Sequence, residues 1–180
     1  MQTAIVTGTS SGIGKAIATR LLADGWRVVG LDKMPATIEH GAFSSVLVDL
    51  AEPELRRQVI EGLVGAEALV HAAGIMRGAP LGELKHDAGE LLWRIHVDAA
   101  IDLANRLAPR MTKGARIVLI GSRAARGVVN KSQYGAAKAA LVGLARAWAK
   151  ELVQRGITVN VVSPAATETR MLTDPNRSFL

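Results

Sequence analysis

The sequence predicts an α/β protein built on one doubly wound parallel sheet, and three observations carry that reading. Short apolar runs rich in Val, Ile and Leu recur along the chain. Longer segments with helical spacing of apolar residues separate most of them, and each short run closes near Gly, Asp, Ser or Pro. Strands covered on both faces by crossover helices look like this, because neither face meets water and the side chains need not alternate.

Six strands are expected, at Thr3 to Thr7, Arg27 to Leu31, Ser45 to Val48, Ala68 to Ala72, Arg116 to Ile120 and Thr158 to Val162. Helical patterns lie at Gly12 to Asp24, Glu52 to Gly62, Asp87 to Met111 and Ser132 to Arg155, the last two long enough to bury one apolar stripe each. Gly74 to Gly89, with Gly78, Pro80 and Gly82, reads as a loop. Right-handed crossovers between these elements give a Rossmann-type sheet in the strand order 3-2-1-4-5-6. No internal repeat or second boundary is visible, so residues 1–180 form one domain. Nothing after Ser163 reads as a strand, which would leave Thr158 to Val162 an open edge. The expectation drawn from this is a C-terminally incomplete domain, lacking a seventh strand and a lid that begins near Thr169.

Composition narrows the function. Of the 180 residues 49% are hydrophobic and 21% charged, enough apolar surface for one core. The net charge of +6 raises the question of nucleic acid, but like charges do not run together and aromatic residues at 3% offer few stacking platforms, so no nucleic-acid partner is expected. The absence of cysteine excludes disulfides and thiolate chemistry. His40, His71, His86 and His96 lack ligand spacing, so no metal is expected. No apolar stretch approaches the roughly 20 residues of a membrane span, and the start MQTAIVTG has no basic region followed by a long apolar one. The expected setting is cytoplasmic.

The first strand runs into Thr7-Gly8-Thr9-Ser10-Ser11-Gly12-Ile13-Gly14 and then a helix. Glycines there permit a tight turn and a close backbone approach to pyrophosphate, while the helix N-terminus offers unpaired N–H groups and positive dipole. Tight turns without ligands also use glycine, so context matters. The second strand ends in Asp32, eighteen residues after Gly14, where a carboxylate can accept hydrogen bonds from the adenosine ribose and repel a 2′-phosphate. NAD is therefore expected over NADP, although Lys33 stands beside Asp32.

With Ser122 and the run Tyr134-Gly135-Ala136-Ala137-Lys138, the G-x-x-x-G-x-G spacing resembles the short-chain dehydrogenase/reductase family, from Thr7 to Thr169. The resemblance implies cofactor contacts at Gly8, Ser10, Ser11, Gly12, Ile13, Gly14, Asp32, Asp49, Leu50, Ala73, Gly74, Tyr134, Lys138, Pro164, Ala165, Thr167 and Thr169, with Asp49 near the adenine and Thr169 near the nicotinamide amide. It implies Ser122, Tyr134 and Lys138 as catalytic residues, with His96 at the position where the family often carries an asparagine. The sequence departs from the family's Asn-Asn-Ala-Gly, which reads His71-Ala72-Ala73-Gly74, and from its Pro-Gly, which reads Pro164-Ala165.

Tyr134 and Lys138, four apart, share one helix face. A phenol with a pKa of about 10 is a poor base at neutral pH, and a nearby ammonium favours the phenolate. The expected function is hydride transfer between a nicotinamide cofactor and an alcohol or ketone, with Tyr134 as general acid/base, Lys138 lowering its pKa and Ser122 positioning the substrate oxygen. Each residue alone has a structural reading: a Tyr-x-x-x-Lys is common on helices, Ser122 can cap a turn, and His96 can be an interior histidine. A non-catalytic dinucleotide-binding regulator or scaffold on the same fold is the alternative. The partner is a small-molecule alcohol or ketone. The apolar content of the two long helices, including Leu91, Leu92, Leu103, Leu107, Leu141, Leu144 and Trp148, further suggests a homodimer or homotetramer.

Overall fold

The computed structural model of the chain describes residues 1–169 and 171. Six strands form one sheet: β1 (Thr3–Thr7), β2 (Arg27–Asp32), β3 (Phe43–Leu47), β4 (Ala68–His71), β5 (Arg116–Ile120) and β6 (Thr158–Val162). Their order is β3-β2-β1-β4-β5-β6, and every neighbouring pair is parallel. The helices are α1 (Gly12–Ala23), α2 (Pro53–Gly62), α3 (His86–Trp93), α4 (Ala99–Leu107) and α5 (Ser132–Leu152).

The pleat of β1 shows how both faces are covered. Ala4 and Val6 join Val28, Val70 and the α1 residues Ala18 and Leu22 in one apolar layer. Ile5, between them, joins Leu69 and Ile117 in the other layer, with Leu103 and Leu107 of α4 and Leu141 of α5. Each of these fully buried Leu and Ile side chains contributes about 1.5–3 kcal/mol. The expected order and elements are thus observed, with two shifts.

Strand β3 begins at Phe43 rather than Ser45 because Phe43 pairs with Val28 and its ring lies over Gly30 of β2. The segment expected as one helix from Asp87 to Met111 is interrupted between α3 and α4 by a π-helical turn, Arg94–Asp98. No proline or glycine marks this break in the sequence. The cause lies in tertiary hydrogen bonds at Ile95 and His96, described below, and π-bulges of this kind concentrate at functional sites.

Leu92, Leu103, Leu107 and Leu141 are fully buried within the single chain, and Leu144 and Trp148 pack against its core. The apolar surplus that suggested self-association is therefore largely covered internally, leaving Trp93 and Ile101 exposed on α3 and α4. Among the described residues β6 pairs with β5 alone, and no helix is long and apolar enough to cross a membrane. The expected seventh strand and lid, beyond Thr169, lie outside the described residues.

Candidate active site

An open α/β sheet binds ligands beyond the carboxyl ends of its strands, where the chain reverses its winding direction. A cavity of about 510 Å³ occupies that edge here. Gly8, Ser10, Ser11, Gly12, Ile13 and Gly14 line it after β1, Asp32 at the end of β2, Asp49 and Leu50 after β3, and Ala73 and Gly74 after β4. Ser122 follows β5, Tyr134 and Lys138 come from α5, and Pro164, Ala165, Thr167 and Thr169 follow β6. Of the expected site residues, His96 alone is absent from the wall; it is buried behind it.

Between the β2 and β5 ends, after the inner strand β1, lies the N-terminus of α1, with no acidic residue in its first turn to compete for an anion. Close packing explains Gly14. A Cβ there would stand on the Gly8 carbonyl oxygen and 2.7 Å from that of Thr7. We expect Gly14→Ala to cost about 3 kcal/mol in urea unfolding, at the upper end of overpacking penalties. A cost below about 1 kcal/mol would show that the loop is not held by this approach.

Asp32 ties the loop to β2. One carboxylate oxygen accepts from the Ser10 amide at 2.9 Å and the Ser10 hydroxyl at 2.8 Å, and the other from the Met34 amide at 2.9 Å. Asp49 accepts from the Ala51 amide and lies 4.0 Å from the Lys33 ammonium. Between β2 and β5 stand three strand spacings, about 14 Å, so the Asp32 end and the Ser122 end are separated by the reach of an extended dinucleotide.

Behind the cavity two histidines organise the strand ends. Thr7 Oγ1 accepts from the amides of Ala72 (2.9 Å) and Ala73 (2.8 Å), which leaves its proton for His71 Nδ1 at 3.1 Å. The other ring nitrogen of His71 then donates to the Ile95 carbonyl at 3.1 Å, inside the π-helical turn. Burial, with the charge of Lys138 adding to it, lowers the His71 pKa to about 4, so it is neutral in this network. His96, the next residue after Ile95, donates from Nε2 to the Ile75 carbonyl at 2.9 Å, and its Nδ1 has no hydrogen-bond partner. Burial and Lys138 hold its pKa well below 6.5. Gly74 makes room for the imidazole: a Cβ at Gly74 would overlap His96 Cε1 and lie 3.0 Å from Nδ1. Sequence reasoning marked His71 only as a family departure and missed Thr7. The apolar run Ala68-Leu69-Val70 leading straight into His71 was the available signal that His71 lies in a strand covered on both faces.

At the β5 end, Ser122 Oγ accepts from the Ala124 amide at 3.1 Å, which caps a short 3₁₀ turn, Arg123–Arg126, and leaves its hydroxyl proton available. Tyr134 is buried among Met76, Leu92 and Ala124, its ring edge-on to His96 with centroids 5.6 Å apart. Lys138 Nζ lies 5.8 Å from the Tyr134 ring centroid and donates to the Ile120 carbonyl at 2.6 Å. Burial lowers its pKa to about 7. A phenol, an ammonium and a hydroxyl thus face one end of a cavity whose middle presents the N-terminus of α1 and whose other end presents Asp32. The arrangement can move a proton to or from an oxygen held at Ser122.

The family model for short chain dehydrogenases matches residues 2–178. A 3-oxoacyl-[acyl-carrier-protein] reductase of Salmonella typhimurium is 34% identical over 195 residues, covering 97% of this chain and 78% of that protein. Among solved structures, a blue fluorescent protein from a metagenomic library in complex with NADPH superposes with a TM-score of 0.85 at 33% identity, covering 98% of this chain and 79% of the other. A 4-hydroxyisoleucine dehydrogenase complexed with NADH does so at 0.89 and 25%, covering 95% and 76%.

Proposed function

The chain belongs to the short-chain dehydrogenase family, and from that premise we propose that it is a nicotinamide-dependent oxidoreductase interconverting an alcohol and a ketone. The observation that carries the reading is the convergence of Ser122, Tyr134 and Lys138 on the cavity end opposite Asp32 and the glycine loop. The donor set fits a dinucleotide: α1 offers backbone N–H groups to the pyrophosphate, and Asp32 stands where a ribose would lie. When bound, the nicotinamide would supply or accept the hydride.

The chain's own residues do the rest. Ser122 donates to the substrate oxygen and holds it within reach of the Tyr134 hydroxyl. Tyr134 gives its proton to that oxygen in reduction, or takes it in oxidation. Lys138, when protonated, favours the phenolate by charge. His96 stays neutral and bears on Tyr134 through the edge of its ring, a positioning role at the place where the family carries asparagine. The apolar wall around Tyr134 limits water at the reacting atoms. Self-association as a homodimer or homotetramer, with Trp93 and Ile101 in the contact, and a cytoplasmic setting complete the reading. An absorbance assay at the reduced nicotinamide band against a panel of ketones and secondary alcohols tests it. Cofactor binding without turnover of any of them would favour a non-catalytic dinucleotide-binding protein.

Preference for NAD over NADP rests on Asp32, since a 2′-phosphate beside a carboxylate meets like-charge repulsion that Lys33, drawn toward Asp49, offsets only in part. The two complexes above carry NADPH and NADH respectively and divide on the point. We expect the wild type to show higher kcat/KM with NAD, and Asp32→Ala to shift the ratio toward NADP by about tenfold, roughly 1.4 kcal/mol. An unchanged ratio would remove Asp32 as the discriminator.

A further inference from the structure

We propose that Arg123 recognises an anionic oxygen group, a carboxylate or a phosphate, on the substrate. The inference rests on the oxidoreductase reading of the same cavity and adds its substrate class.

Four observations converge. Arg123 immediately follows Ser122 and lines the cavity. Its backbone is fixed by the 3₁₀ turn that Ser122 caps and by the buried Ala124, so the guanidinium projects from an anchored position. Second, the other charges on the wall have protein partners: Asp32 holds Ser10 and Met34, Asp49 faces Lys33, Lys138 donates to Ile120, and Lys131 is engaged as well. The Arg123 guanidinium has no hydrogen bond or ion pair with any described residue. The described acids of the wall, Asp32 and Asp49, stand at the β2 and β3 end. That is about 14 Å away by strand spacing, beyond a Debye length of roughly 8 Å at physiological salt.

Third, Arg126 lies three residues on in the same 3₁₀ turn. Arg126 is exposed and outside the cavity wall, so it adds a second positive charge nearby rather than a second contact to the ligand. Fourth, the same cavity presents an apolar surface of Ile75, Met76 and Ala124 around Tyr134, with Val128 also on its wall. A planar guanidinium at the cavity wall pairs with a carboxylate or phosphate through parallel N–H···O bonds. The substrate this end fits is a short carbonyl compound or alcohol with an apolar body and an anionic terminus. Ser122 and Tyr134 take the reacting oxygen while Arg123 takes the charge.

Two matched pairs of probes test the proposal: 3-oxobutanoate against 3-oxobutanamide, and dihydroxyacetone phosphate against dihydroxyacetone, each with reduced cofactor. The anionic member of at least one pair is expected to have at least tenfold higher kcat/KM, with most of the difference in KM, and the pair that responds identifies carboxylate or phosphate. In Arg123→Gln the preference should fall to about one, Arg123→Lys should restore part of it, and added salt should weaken it in the wild type. Equal use of neutral and anionic members, or a preference that survives in Arg123→Gln, would overturn the proposal while leaving the oxidoreductase reading intact. If no ketone is reduced, here or in the wider panel, the reading fails and the proposal falls with it.

Discussion

Tyr134→Phe is expected to lower kcat/KM by 10²- to 10⁴-fold, the range for removing a positioned general acid/base. The substitution deletes one hydroxyl and leaves the ring. That ring is 4% exposed, packed with Met76, Leu92 and Ala124 and set edge-on to His96, so its place in the cavity should persist. Cofactor affinity should change little, because the phosphate and ribose ends of the cavity lie on other strands. Steady-state kinetics and a cofactor titration check both statements. Activity above about a tenth of wild type would show that Tyr134 does not move the proton.

Lys138→Met is expected to remove activity and yet stabilise the fold. Lys138 is 5% exposed, and its pKa falls from an ordinary 10.5 to about 7 because burial penalises the charge. Between pH 7 and 10.5 the unfolded chain keeps a proton that the folded chain has released. Stability therefore rises with pH across that window, and below pH 7 the full cost of burying the charge is present. Methionine replaces the aliphatic stem, one atom shorter, without that cost, but leaves the Ile120 carbonyl without its donor. A net gain of about 2 kcal/mol at pH 6 is expected, or about 4–8 °C in Tm for a chain of this size. The gain should shrink toward pH 10. A variant less stable than wild type at pH 6 would show that the hydrogen bond to Ile120 outweighs the buried charge.

The expected gain would mark Lys138 as a residue kept for chemistry rather than for folding. The same logic applies to His96, whose buried Nδ1 lacks a partner. Well-packed interiors rarely leave such atoms unsatisfied without a functional reason.

How far this was legible in the sequence differs by element. The parallel sheet and its order followed from runs such as Ala4-Ile5-Val6 and Ile117-Val118-Leu119, whose lack of alternation requires cover on both faces. Every expected wall residue except His96 lines the cavity, because each sits at a strand end and the topology brings strand ends together. The break in the long helix was not legible. It depends on His71 reaching the Ile95 carbonyl and His96 reaching that of Ile75, contacts between residues more than twenty apart that leave no local trace. The shift in β3 has a similar origin, since Phe43 fits there only because Gly30 on the neighbouring strand carries no side chain. The doubly wound sheet covers more of α4 and α5 than their composition suggests, which leaves Trp93 and Ile101 as the exposed apolar residues for self-association.

The central claim is that this cavity transfers hydride with Tyr134 as the proton donor. Its most direct test follows the label from C4-deuterated reduced nicotinamide dinucleotide to a ketone, read by NMR of the alcohol formed. The account predicts deuterium at the carbinol carbon with wild-type protein and little or none with Tyr134→Phe in the same time. Tight cofactor binding with no label transferred to any ketone would contradict it and identify a protein that binds the dinucleotide without using it.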